Sequence, residues 1–312
     1  MDSTPPEINI FDKAKMAFSS IDQISYKLLF ARLPLNIKRK LPVLFKYAPS
    51  LKHDILINAK LHPKVITHLY QILLLLNRGN RKTWFSKEKD SYFIHIGEGG
   101  EFYKFLFNLF PSPQIPIFHD LTPLVDIFVR KLYDYYPIKG SVVDIGGYIG
   151  DTSVYFVKKG AQSVEVYEPS PFNFNYLTTN LRLNDVSERV KPFRLAIAND
   201  CRNSILFVPR YAAGEASLFR HNNNMVETGV ETISCHQVLN KHIDLLKMDC
   251  KGCEVQVIEE CGESLQKNVD HLIFQYYKID DASIRVLLKK IVSIGFVIDK
   301  IDVFYKMVYA HR

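Results

Sequence analysis

The chain has 312 residues, 47% hydrophobic and 23% charged, with a formal net charge of +7. This is an ordinary soluble globular composition, with room for one large domain and a smaller one. The longest apolar run, Ile72 to Leu76, is far too short to span a membrane. The opening Met1–Glu7 has neither the basic nor the apolar region of a signal peptide. Five cysteines, an odd count in a chain of this length, do not suggest a disulfide framework. The expectation is a cytoplasmic protein with reduced thiols.

The charge is unevenly placed. Residues 1–110 hold 17 Lys+Arg against 9 Asp+Glu, a balance of +8, and the remainder hold 23 against 24. Lys38-Arg39-Lys40 and the cluster Arg78, Arg81, Lys82, Lys87 and Lys89 are the densest parts. Attraction to RNA, an anionic membrane surface or a phosphorylated glycan carrier is one reading. A solvated basic surface that keeps the protein in solution is the other.

Residues 1–85 read as mostly helical. Pro63 suits a helix start, and Val65, Ile66, Leu69, Ile72, Leu73 and Leu76 follow at helical spacing until Asn77-Arg78-Gly79. Trp84-Phe85 and Tyr92–Ile96 flank a turn and predict a hairpin, and Gly97–Gly100 reads as loop. Pro111, Pro113 and Pro116 mark a break, which divides the chain into a helical domain over 1–112 and a second domain over 113–312.

From about Gly140 strands and helices alternate, the mark of a parallel sheet covered on both faces. The predicted strands are Ser141–Ile145, Ser163–Tyr167, Val190–Ala196, Ile243–Met248 and Leu272–Gln275. Asp151–Lys159 is the first helix, and Ser170-Pro171 caps and starts the second. Gly262 and Gly295 end later helices, and Phe296–Ile301 and Val303–Tyr309 form a closing antiparallel pair. Between them lie short strands at Ser204–Val208 and Glu231–Ser234 around the polar loop His221–Asn224.

The first strand runs through Asp144 into Gly146-Gly147-Tyr148-Ile149-Gly150, with a helix opening at about Asp151. Strand, glycine turn and helix start make a nucleotide-cofactor cradle. A dinucleotide fingerprint needs a second glycine where this chain has Tyr148 and a third where it has Asp151. An acid at the strand tip repels phosphates and suits a ligand carrying an amine and a sulfonium, as S-adenosylmethionine does. Glu168, at the tip of the next strand and 24 residues beyond Asp144, fits the acid that accepts hydrogen bonds from both ribose hydroxyls. Cys250-x-x-Cys253 has the spacing of a redox or zinc pair, but zinc would need two further ligands such as Cys235 and His236. No metal site is expected.

The segments Asp-Ile-Gly-Gly-Tyr-Ile-Gly-Asp-Thr-Ser (144–153), Tyr-Glu-Pro-Ser-Pro-Phe-Asn-Phe (167–174) and Asp-Leu-Leu-Lys-Met-Asp-Cys-Lys-Gly-Cys-Glu (244–254) resemble the FkbM-type S-adenosylmethionine-dependent methyltransferases. The likeness runs from about Gly140 to Gly262, and the Cys-x-Gly-Cys form is similar to archaeal members. It implies a class I methyltransferase (Rossmann-like) fold: a seven-stranded, mostly parallel sheet with an antiparallel last strand, here beside a smaller helical N-terminal domain. It also implies that Asp144, Gly146, Gly147, Tyr148 and Gly150 hold the methionine end of the cofactor. Glu168 would bind the ribose, Asp249 would line the reaction centre, and Ser217 would border the substrate mouth. In that family Val- and Ala-type packing residues stand at the two cysteine positions.

Two departures bear on the acceptor. The family carries Glu where this chain has Lys251, and an acid followed by a histidine where it has Gln275-Tyr276-Tyr277. Methyl transfer from a sulfonium needs an acceptor oxygen held in line and a base for its proton. Asp249 is the first candidate for that base, the other reading of it being a cofactor-binding residue that orients the cofactor amine or a cap of the next helix. Glu254, inside a helix where a structural role competes, is the second. The expected activity is O-methylation of a sugar, glycan or small-metabolite hydroxyl. An RNA methyltransferase using the basic N-terminal third, and a non-catalytic cofactor-binding protein, are the alternatives.

Overall fold

The computed structural model describes residues 33–52, 54–55, 63–78, 81–110, 118–198, 203–209, 213–220, 225–277 and 279–312. The sequence features at Gly79, Pro111–Pro116 and His221–Asn224 lie outside these residues. The chain divides into two compact units, Met1–Pro111 and Ser112–Arg312.

In the first unit, helices α1 (Leu35–Lys38), α2 (Leu41–Tyr47) and α3 (Pro63–Leu76) precede three strands. Ile66, Leu69, Leu73 and Leu76 are fully buried, so the apolar stripe of α3 is core. The predicted hairpin is real but incomplete. Strands β1 (Lys82–Glu88) and β2 (Ser91–Glu98) pair antiparallel, and β3 (Glu101–Phe107) adds a third strand through the turn at Gly99-Gly100. Part of the basic charge is neutralised within the unit: Arg81 pairs with Glu98, Lys87 with Asp54 and Lys104 with Glu88.

The second unit opens with α4 (Thr122–Phe128) and β4 (Gly140–Ile145). It continues through α5 (Asp151–Lys159), β5 (Ala161–Tyr167), α6 (Pro171–Leu183), β6 (Val190–Phe193), β7 (Ala196–Ile197), β8 (Asn203–Pro209) and β9 (Met225–Ile233). After α7 (Cys235–Val238) come β10 (Ile243–Met248), α8 (Cys253–Glu260), α9 (Gly262–Asn268) and β11 (Val269–Gln275). The last elements are α10 (Asp281–Ser293), β12 (Val297–Asp302) and β13 (Met307–His311). The sheet runs β12-β13-β11-β10-β4-β5-β6. Strands β6, β5, β4, β10 and β11 are parallel, and β13 is antiparallel to both its neighbours. Its central strands carry near-continuous apolar runs because both faces are covered.

Local chemistry sets the ends of the elements. Ser170 caps α6 by accepting from the Asn173 amide, with Pro171 at the first helical position. Lys158 and Lys159 occupy the last turn of α5, where the helix dipole favours cations. The predicted strand Val190–Ala196 splits: β6 stops at Phe193, and β7 leaves the main sheet to pair with β9. Gly262 does more than end α8, because it also opens α9. The final strand starts at Met307 rather than Val303, since 303–306 form the turn.

The thiols correct the sequence reading. Four of the five cysteines are paired, Cys235 with Cys261 and Cys250 with Cys253. Their Cα separations of 6.2 and 5.6 Å lie within bridging reach, which the odd count of cysteines does not reveal. The first bridge ties α7 to the end of α8 inside the core. No helix among the described residues is long and apolar enough to cross a membrane.

Candidate active site

A cavity of about 240 Å³ opens where β4, β5 and β10 end. Gly146 lets the chain turn sharply off β4: its φ is +86°, and a Cβ there would drive into the Asp249 carbonyl. The turn is pinned from both sides. The amides of Gly146 and Gly147 donate to the Tyr167 carbonyl, and the Asp249 amide donates to the Ile145 carbonyl. Gly146 and Tyr148 line the cavity, while Gly147 and Gly150 shape the turn behind them.

Asp144 does not line the cavity. It is fully buried, with Oδ2 accepting from Thr152 Oγ1 at 2.6 Å and Ser153 Oγ at 2.7 Å. The Lys247 ammonium stands 2.8 Å from its Oδ1. Lys247 also donates to the Gly146 carbonyl at 2.7 Å, so one buried cation locks the strand tip to the glycine turn. The role of Lys247 was readable as an anomaly, a lysine inside the apolar run Leu245–Met248, yet its partner is 103 residues away in the chain.

Glu168 lies in the cavity wall at the end of β5. Its Oε2 accepts from the Tyr148 amide at 2.9 Å, and its Oε1 from the Ser170 amide at 3.0 Å and Asn173 Nδ2 at 3.2 Å. Burial pushes its carboxyl up to about 7 despite these donors. Behind it, the Tyr148 hydroxyl donates to the Asp120 carbonyl, and the His119 ring packs against Tyr148, Phe172 and Tyr176. Burial drives His119 down to about 3 against an opposing hydrogen bond with Asn173, which makes the ring neutral.

Beside the glycine turn the cavity lining also includes Asp249, Lys251 and Gln275. Lys251 pairs with Asp249 Oδ1 and donates to Gln275 Oε1 at 2.7 Å. Gln275 Nε2 in turn donates to the Tyr305 carbonyl at 3.2 Å. Burial alone would lower the Lys251 ammonium, but Asp249 outweighs it and the group holds its proton more firmly than usual. The 250–252 turn that presents Lys251 has φ of +57° at Lys251 and +131° at Gly252, and the Phe219 ring would crowd any Cβ at Gly252. Ser217 Oγ donates to the Lys251 carbonyl at 2.8 Å, so the β8–β9 region does border the cavity.

Glu254 is not placed as a base. It is fully buried, and its carboxylate accepts from the amides of Cys250, Lys251 and Gly252 at 2.7, 3.0 and 2.7 Å. Those bonds satisfy the amides at the start of α8 and fix the turn, the role a first-turn acid fills in a helix. The Cys250–Cys253 bridge closes the same turn, so neither sulfur is a free ligand, and Cys235 is likewise spent on Cys261. Asp126 and Glu215 complete the wall without any motif to announce them. Burial raises Asp126 to about 6 even though Arg130 pairs with it.

In all, six carboxylates (Asp120, Asp126, Asp151, Glu168, Glu215, Asp249) and two ammonium groups (Lys247, Lys251) line the cavity. A mostly parallel seven-stranded sheet of this order, with its penultimate position filled by an antiparallel strand, is the class I methyltransferase fold. Residues 144–297 match the family model described as the Methyltransferase FkbM domain. "Methyltransferase 1" of Beauveria bassiana is 27% identical over 202 residues, 55% of this chain and 79% of that protein. "Methyltransferase sdnD" of Sordaria araneosa is 24% identical over 189 residues, 49% of this chain and 73% of that protein. These relatives are fungal and lend no support to an archaeal affinity. Among solved structures, a methyltransferase FkbM from Methylobacillus flagellatus has a TM-score of 0.42 and 13% identity, covering 84% of this chain and 61% of that one.

Proposed function

We propose that the chain is an S-adenosylmethionine-dependent methyltransferase acting on a hydroxyl oxygen of a sugar, glycan or small metabolite. The observation that carries this reading is the charge of the cavity, six carboxylates against two ammonium groups at the C-terminal ends of the parallel strands. Ligands of open α/β sheets bind at that edge. Carboxylates in a partly desolvated cleft favour a cationic ligand and oppose a pyrophosphate. The donor set therefore fits the cofactor.

When bound, the cofactor supplies an electrophilic methyl group on a sulfonium. The chain's own residues position and deprotonate. Glu168 would accept hydrogen bonds from the ribose hydroxyls, exchanging its present amide donors for shared ones. The glycine turn with Gly146, Gly147, Tyr148 and Gly150 would hold the methionine end. Asp249 would take the proton of the acceptor hydroxyl on the oxygen that Lys251 does not occupy. Lys251, held by Gln275, fixes the orientation of that carboxylate. Most of the acceleration would come from alignment of the acceptor, because the leaving group needs no acid.

Calorimetry with S-adenosylhomocysteine tests the cofactor. Wild-type protein should bind it, and Glu168→Gln should weaken binding roughly tenfold or more, the cost of hydrogen bonds to a charged group. Absence of binding by the wild type overturns the reading. Transfer of labelled methyl to lysate fractions tests the acceptor: label that survives ribonuclease supports a glycan or small molecule, and label that is lost identifies RNA.

A further inference from the structure

The three-stranded sheet of the first unit has two unlike faces. On one, Phe85, Ile94 and Phe105 stand in a single cross-strand row and are all buried. On the other, Trp84, His95 and Lys104 form one row, and Phe102 stands in the next, opposite Gly97. The solvent side of an antiparallel sheet is ordinarily polar. Here Trp84 is 38% and Phe102 47% exposed, and the two rings are neighbours. Scattered exposed apolar side chains need no explanation, whereas a contiguous aromatic pair marks an interaction surface.

The rings are held in place from beneath. Trp84 lies flat on the His95 imidazole, with centroids 4.8 Å apart and planes within 1°. His95 Nε2 is 2.7 Å from Ser86 Oγ, which fixes the imidazole. Burial, helped by Lys104 and opposed by Glu88, lowers the His95 pKa and keeps that ring neutral. Phe102 meets Trp84 at 5.7 Å with its plane inclined at 37°.

Charge decides what such a surface takes. Residues 81–107 hold five Lys+Arg and four Asp+Glu, a balance of +1, so the basic excess of the first 110 residues lies mostly outside the sheet. Within the sheet Arg81 is paired with Glu98 and Lys104 with Glu88. A single-stranded nucleic acid brings a phosphate with every stacked base and needs a basic track. A near-neutral sheet does not supply one, and it suits a neutral ring. The C–H face of a hexopyranose is apolar, and its hydrogens carry the slight positive charge that the face of an aromatic ring attracts. The hydroxyls at its edge need donors and acceptors, and the Lys104–Glu88 pair on the same face offers both.

We propose that Trp84 and Phe102 form a carbohydrate-binding platform that stacks a neutral hexopyranose unit of a glycan. Every residue it uses belongs to the first unit, so it goes beyond the methyl-transfer reading and does not depend on it. It gives the chain a hold on a glycan that is separate from the residues of the methyl-transfer cavity.

Trp84 is the only tryptophan of the chain, so the fluorescence of the full-length protein reports the platform directly. The probes are cellohexaose, maltohexaose, chitohexaose and mannohexaose, with oligouridine for comparison. At least one hexasaccharide should change the Trp84 emission saturably. Raising salt from about 0.05 to about 0.5 M should alter that affinity by less than about twofold, since no phosphate contact is involved. Phe102→Ala should weaken binding about tenfold, the scale of one aromatic contact. Phe102→Tyr should retain it, and circular dichroism confirms that both variants fold. Neither variant should change S-adenosylhomocysteine affinity. Three results overturn the proposal: no response to any hexasaccharide at about 10 mM, well above weak millimolar affinity; binding that Phe102→Ala leaves unchanged; or salt-sensitive binding of oligouridine in place of the sugars, which identifies a nucleic-acid surface. Each leaves the cofactor reading intact, because that reading stands or falls on S-adenosylhomocysteine calorimetry alone.

Discussion

Lys251 donates to Gln275 Oε1 at 2.7 Å while its ammonium pairs with Asp249, so the two departures from the FkbM pattern form one hydrogen-bonded group. Each makes sense only with the other. A glutamate at 251 would face Asp249 as a like charge, whereas lysine neutralises it. An acid at 275 would compete with Asp249 for the ammonium, whereas the Gln275 amide adds a neutral acceptor and is itself oriented by the Tyr305 carbonyl. What reads in the sequence as two losses of acid is a replacement of one polar network by another.

That pairing predicts non-additive variants. Lys251→Met and Gln275→Leu should show an interaction energy of about 1 kcal/mol in a double-mutant cycle of denaturant unfolding, as expected for residues in one network. Both should leave S-adenosylhomocysteine affinity within about threefold while lowering methyl transfer, because they act on the acceptor wall. Additive stabilities would show that the hydrogen bond contributes nothing.

Lys247 should matter more for stability than any other lysine of the second unit. It is 2% exposed and neutralises a fully buried carboxylate. Lys247→Met leaves Asp144 uncompensated and should cost about 3–5 kcal/mol, the range for breaking a buried pair by removing one partner. Asp144→Asn paired with Lys247→Met should recover part of that loss. Urea unfolding of the three proteins measures both effects.

The two bridges should behave differently. Cys235–Cys261 closes 26 residues and joins buried elements, so replacing both cysteines with serine should destabilise by about 3 kcal/mol. Cys250–Cys253 closes a three-residue step and constrains little of the unfolded chain. Its replacement should change global stability by less than about 1 kcal/mol but loosen the turn that presents Lys251. The expected result is a small change in melting temperature with a clear loss of methyl transfer. A stability loss equal to that of the first bridge would contradict this.

The glycine turn, the strands β4, β5 and β10 and the helix α5 were legible because their signals are local: periodicity, caps, and glycines where φ must be positive. The charge anomaly of Lys247 was legible as an anomaly, but its partner was not, since the pair joins residues brought together only by adjacent parallel strands. Asp144 and Asp151 show the limit of motif transfer. Position along the motif places both acids near the turn, but only the packing of Thr152, Ser153 and Lys247 decides which carboxylate is satisfied. Asp126 and Glu215 carry no local signal, because elements outside the motifs deliver them to the cavity. The third strand of the N-terminal sheet was missed because Gly97–Gly100 reads as loop, although a tight glycine turn is also what joins two antiparallel strands.

The buried acids of the cavity fix the sign of a pH effect on the ligand-free protein. Burial lifts Asp151 and Glu168 from their ordinary values of 3.8 and 4.5 to about 7. Between about pH 4 and pH 7 the folded state therefore binds more protons than the unfolded state at these two positions. Stability contributed by them falls as pH rises through that window, and above about pH 7 the full penalty of two buried charges is present. Asp151→Asn removes one such titration. Relative to wild type, its unfolding free energy should rise by on the order of 3 kcal/mol between pH 4 and pH 8, while Asp280→Asn, at an exposed helix cap, gives no comparable trend over that window. A wild-type profile that parallels Asp151→Asn throughout would show that Asp151 keeps an ordinary carboxylate titration and is not held by burial.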